Sequence, residues 1–199
     1  MSTPANLRAD FAAIAEWIPA GASVLDLGCG DGSLLRYLQD ARKVRGYGVE
    51  ISDANVVACI KNGVNVIQGD LESGLSGFEN EAFDFVILSQ TLQATRHTEA
   101  LAKEILRVGR EGIVSFPNFG YWRNRFDVLS GRMPVSKELP YQWYDTPNVH
   151  LCTLHDFESF CRACQMHILE RRVMTNGHEV HLLPNLLGGI AVYRFKRAD

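Results

Sequence analysis

One short run constrains how this chain can fold more than any other: Val24-Leu25-Asp26-Leu27-Gly28-Cys29-Gly30-Asp31-Gly32. Apolar residues around a single acid lead into three glycines at alternate positions, and an amphipathic stretch follows. The pattern is that of a buried strand, a tight turn and a helix. Glycine has no Cβ to hold a ligand away, so a ligand can lie directly on such a turn. A second acid, Glu50, closes the next apolar run, Gly46-Tyr47-Gly48-Val49. Together they predict the nucleoside-binding half of a doubly wound α/β domain.

The rest of the chain agrees with that class. The 199 residues suffice for one domain with a sizeable core, and 46% apolar against 22% charged residues is ordinary for a soluble globular protein. A net charge of −3 lacks the basic excess that a general nucleic-acid or membrane-surface binder needs. No apolar run approaches the roughly 18 residues of a membrane span. Arg8, Asp10 and Glu16 mark the N-terminal stretch as an amphipathic helix and not a signal peptide. Five cysteines in no disulfide-like array suggest reduced thiols and a cytoplasmic setting.

Periodicity places a helix over 7–18, strands near 22–27, 45–50, 64–68, 83–88 and 112–116, and helices over 32–40, 53–61 and 97–107. Ser52 and Asp53 are positioned to cap the third helix. The alternation predicts a parallel sheet with right-handed crossovers. The rhythm then breaks. Residues 118–150 are rich in aromatics, proline and arginine, and a connection that long is usually functional. Thr153 and Asp156 form a capping box for a helix over 154–164, and strands near 167–173 and 190–196 finish a seven-stranded, mostly parallel sheet. The expected organisation is a single domain: N-terminal helix 1–19, cofactor core 20–117, lid segment 118–150, and C-terminal helix and strands 151–199.

The turn is spaced G-x-G-x-G with Ser33 following. The dinucleotide fingerprint G-x-G-x-x-G places a third small residue there, so a nucleoside without a diphosphate is favoured over NAD. Glu50, 18 residues beyond Gly32, can accept from both ribose hydroxyls. Asp70 closes the third strand and can accept from an adenine amine, with Leu71 and Ile51 on either side of the ring. Taken singly, each acid is more often a solvated loop residue or a helix cap; turn, acid and acid at three successive strand ends is a rarer pattern. Cys161-x-x-Cys164 has no second pair at zinc spacing, and His178-Glu179-Val180-His181 is one residue short of a zinc-protease helix motif. No metal site is expected.

Asp26-x-Gly28-x-Gly30-x-Gly32, Glu50, Gly69-Asp70 and Phe83-Asp84-Phe85-Val86-Ile87-Leu88-Ser89-Gln90 resemble the motifs of class I S-adenosylmethionine-dependent methyltransferases over roughly 22–116. The chain departs from many relatives at Gly109-Arg110-Glu111-Gly112, where they carry Pro-Gly-Gly. Ile113-Val114-Ser115-Phe116-Pro117-Asn118-Phe119-Gly120, Gly131-Arg132-Met133-Pro134 and Trp143-Tyr144-Asp145-Thr146-Pro147-Asn148 are no part of those general motifs; they resemble the MetW family of methionine biosynthesis. The resemblance implies S-adenosylmethionine as cofactor and S-adenosylhomocysteine as product. It implies cofactor contacts at Asp26, Gly28, Cys29, Gly30, Asp31, Gly32, Glu50, Ile51, Asp70, Leu71, Ser89 and Gln90. It also implies a bacterial cytoplasmic protein linked to homoserine O-acyltransferase.

Specificity is expected in the lid. Tyr121, Trp122, Trp143 and Tyr144 could line an acceptor pocket, and Arg123, Arg125 and Arg132 could hold an anion; packing and solvation are the plainer alternatives. Tyr144, Asp145 and His150 are candidates for proton removal, while His155 sits in the capping segment. Two functions follow: methyl transfer to a small molecule, or an accessory protein that binds S-adenosylmethionine and docks on the acyltransferase.

Overall fold

The computed structural model describes residues 8–198. Strands β1 (Ser23–Leu27), β2 (Arg45–Glu50), β3 (Val66–Gln68), β4 (Phe83–Ser89) and β5 (Gly109–Pro117) lie parallel in the order β3-β2-β1-β4-β5. The order reverses between β1 and β4, which leaves a crevice at the carboxyl ends of the central strands. β8 (Ile190–Arg197) joins β5 antiparallel, β6 (Met166–Thr175) joins β8, and β7 (His178–Glu179) joins β6.

β1 and β4 are buried almost throughout, as strands covered on both faces must be. One face carries α1 (Ala9–Trp17) and α2 (Ser33–Arg42), with Leu34, Leu35 and Leu38 turned inward. The other carries α4 (Thr98–Val108) and α6 (Leu154–Ala163) through Leu101, Ile105, Val108, Leu154 and Phe157. Phe157 packs against Tyr193 of β8 with centroids 4.7 Å apart. α3 (Asp53–Lys61) buries only Cys59. The β3–β4 connection is a single 3-10 turn, Leu71–Ser73, and not a helix. Tyr47 and Ile67 on that face are therefore nearly half exposed.

The sheet has eight strands where seven were expected. The addition is the two-residue β7, paired to β6 across the Asn176-Gly177 turn, and it places His178 and Glu179 on a strand. The first helix begins at Ala9; Leu7 lies outside the described residues. β5 starts at Gly109, three residues before the apolar run, because Phe83 pairs with Gly109 and Phe85 with Glu111. Segment 118–150 contains a helix, α5 (Trp122–Leu129), and α7 (Pro184–Leu187) precedes β8. The capping box of α6 is present: the Thr153 hydroxyl accepts from Asp156 N, and Asp156 accepts from Thr153 N. Ser52 occupies the N-cap of α3, but its side chain makes no capping bond.

Candidate functional site

Gly28, Gly30 and Gly32 have φ of 67°, 57° and 78°. Three left-handed residues in five demand glycine, because a Cβ there meets the backbone. The turn hangs on the neighbouring strand end: Gly28 N and Cys29 N both donate to Val49 O, at 2.8 and 3.2 Å. Gly30 N donates to Glu50 Oε2 at 2.9 Å. Glu50 Oε1 accepts from Ile51 N and Ser52 N at 3.1 and 2.9 Å. Its carboxylate is thus fixed at the mouth of the crevice with a lone pair of Oε2 still unused. A Cβ on Gly30 would meet nothing within 4 Å, so this residue is the open floor of the site. A Cβ on Gly28 would lie 2.5 Å from Thr91 Cγ2.

Around this turn lies a cleft of about 700 Å³. Of the twelve expected contact residues, eight line it: Gly28, Gly30, Glu50, Ile51, Asp70, Leu71, Ser89 and Gln90. Asp70 Oδ1 accepts from Glu72 N at 2.9 Å and caps the 3-10 turn. The other four do not line it. Asp26 is buried beneath the turn and makes no side-chain hydrogen bond among the described residues. Burial first, then the nearby Asp10 and Glu50, push its carboxyl up to about 7, against the opposing pull of Arg8. Cys29 Sγ lies 3.7 Å from Cys59 Sγ, and burial drives its thiol far above the usual range. Asp31 accepts from Ser33 N and Oγ and fixes the start of α2. Gly32 is the N-cap of that helix.

Sequence reasoning missed Arg8. It lines the cleft, donates to both oxygens of Asp10 at 3.1 and 2.6 Å, and donates to Ser89 Oγ at 2.7 Å. Asp10 is fully buried and also accepts from the Ser115 hydroxyl at 2.7 Å. An acid inside an apolar helical stripe was the available signal. From the lid, Lys137, Glu138, Tyr141 and Asn148 reach the cleft. Tyr144 and Trp143 do not; each is 71% exposed. Asp145 is exposed and does not line the cleft. His150 lines a second, adjoining cavity, with Nε2 3.5 Å from Arg96 O. Arg123 stacks over Trp122, and Arg125 donates to Gly120 O.

This strand order, with a glycine turn and acids at consecutive strand ends around the crevice, is the architecture of the class I S-adenosylmethionine-dependent methyltransferases. Solved structures share the fold. A possible histamine N-methyltransferase of Thermotoga maritima superimposes with a TM-score of 0.69 at 20% identity, over 95% of this chain and 87% of that one. An S-adenosylmethionine-dependent methyltransferase of Mesorhizobium loti gives 0.70 at 16% identity, over 96% and 98%. The [4+2]-cyclase SpnF gives 0.67 at 18% identity, over 96% and 80%, so the fold alone does not specify methyl transfer. The chain belongs to the family described as "Methionine biosynthesis protein MetW", whose match covers residues 8–195. The bifunctional methionine biosynthesis protein MetXA/MetW of Rhodopirellula baltica is 43% identical over 209 residues, 98% of this chain and 33% of that protein. The chain therefore spans about a third of that relative's length.

The cleft thus offers an open glycine floor at Gly30, a fixed carboxylate at Glu50 and an exposed carboxylate at Asp70. Among the described residues no helix is long and apolar enough to cross a membrane.

Proposed function

We propose that the cleft binds S-adenosylmethionine and that the protein is a methyltransferase of methionine metabolism acting on a small molecule. One observation carries this reading: Gly30, Glu50 and Asp70, from three successive strand ends, converge on one cleft. Glu50 receives the ribose hydroxyls, Asp70 the adenine amine, and Ile51 and Leu71 flank the ring. The bound sulfonium supplies an already activated methyl group. The protein has to align the acceptor and, where the acceptor carries a proton, remove it. Core 20–117 holds the cofactor and lid 118–150 selects the acceptor, with Tyr144, Asp145 and His150 as candidates for the base.

Calorimetric titration with S-adenosylmethionine and S-adenosylhomocysteine tests the cofactor. Micromolar binding lost in Glu50→Ala supports it, and no heat with either ligand on folded protein removes it. Transfer of a labelled methyl group to metabolite extracts tests the reaction.

A second reading is an accessory protein that holds S-adenosylmethionine and docks on homoserine O-acyltransferase without transferring methyl. Two observations favour it: none of the three base candidates lines the cleft, and the Rhodopirellula relative joins MetXA and MetW in one chain. Co-purification with the acyltransferase and a change in its activity on mixing would support this reading. No complex and no change would dispose of it.

A further inference from the structure

A second cavity, of about 680 Å³, lies against the end of β5, between α4, α6 and the lid. Its walls are carbon: Leu92, Phe116, Leu139, Leu151, Phe157 and Phe160. Its rim is charged, and the balance of that charge decides what fits. Glu99 is paired with Lys103 at 2.7 Å. Asp156 is held by Thr153 N and Oγ1 at 2.9 and 2.8 Å, at the positive end of α6. His97 faces Glu72 at 3.9 Å. Arg96 is different. Its backbone is tied down, N to Glu72 Oε1 at 2.6 Å and O to His150 Nε2 at 3.5 Å, yet no acid pairs with its guanidinium among the described residues. Formally the rim is balanced, Glu99 and Asp156 against Lys103 and Arg96, but of its two cations only Lys103 has an acid partner among the described residues, which leaves the Arg96 guanidinium to a ligand.

A chamber of ligand size with apolar walls and one unpaired guanidinium complements an apolar body with an anionic head. We propose that it binds a small amphipathic carboxylic acid, the carboxylate on Arg96 and the apolar body against Phe116, Phe157 and Phe160. Gln93 lines both this chamber and the nucleoside cleft, so the two share a wall. That adjacency makes such an acid the substrate class of the proposed methyltransferase; the role rests on that reading, while the binding does not.

The test is titration of the full chain with octanoate, 1-octanol and octylamine, beside a separate titration with S-adenosylhomocysteine. Octanoate should bind saturably at one site and displace 8-anilinonaphthalene-1-sulfonate, and octylamine should not. Arg96→Ala should weaken octanoate about tenfold or more and leave octanol unchanged. Leu151→Trp, which fills the mouth, should abolish both while S-adenosylhomocysteine still binds. No saturable octanoate binding, equal binding of octanoate and octylamine, or indifference to Arg96→Ala overturns the proposal. Octanoate binding without S-adenosylhomocysteine binding retains the chamber and removes the methyltransferase role.

Discussion

Asp26 is buried beneath the glycine turn, and its Oδ1 has no hydrogen-bond partner among the described residues. Its carboxyl, ordinarily near 3.8, keeps its proton up to about 7 in the fold. The unfolded chain gives that proton up near the ordinary value, so between the two the native state binds more protons and stability falls as pH rises. The loss is complete above about 7 and absent below the ordinary value. Asp26→Asn should therefore raise the unfolding midpoint at pH 8 and leave it nearly unchanged at pH 3.5, in melts followed by circular dichroism. Parallel curves for variant and wild type would contradict this. The glycines separate in the same way. Gly28→Ala places a Cβ against Thr91 in a left-handed conformation and should cost upwards of about 1–2 kcal/mol in denaturant titrations; Thr91→Ser, by removing Cγ2, should restore part of it. Gly30→Ala meets no neighbouring side chain but carries the same left-handed strain, so it should cost less stability than Gly28→Ala and still weaken S-adenosylhomocysteine.

The capping residues show the same contrast between elements. Thr153 and Asp156 close a reciprocal pair at the start of α6, whose Phe157 and Cys161 are buried under β8. Thr153→Ala should cost about 1 kcal/mol of global stability. Ser52 stands at the matching position of α3, but its own N–H is drawn to Glu50, and its hydroxyl caps nothing. Ser52→Ala should be neutral within about 0.5 kcal/mol. Both caps were legible as residue types. Only the one whose box partner stands three residues on was also legible as a bond, because both of its hydrogen bonds are local.

At the scale of the whole molecule, binding of the proposed ligand would be linked to folding. S-adenosylhomocysteine at about one hundred times its dissociation constant should add about 2.7 kcal/mol to the unfolding free energy. Glu50→Ala should show no such gain, and an equal gain in both would place the ligand elsewhere. The alternation of strands and helices, the glycine turn and Glu50 at the next strand end could all be read from the chain, because periodicity, left-handed sterics and strand-end position are properties of neighbouring residues. The contacts of Arg8 and Asp10 with Ser89 and Ser115 join residues 79 to 105 positions apart. No local pattern announces them. The same holds for the exposure of Tyr144, the two-residue β7 and the apolar chamber under the lid. What this sequence determined by itself is the order of its elements and the glycine turn at the end of β1. Which side chains meet across that turn was decided by the sheet order, which brings distant strand ends side by side and sets what each is buried against.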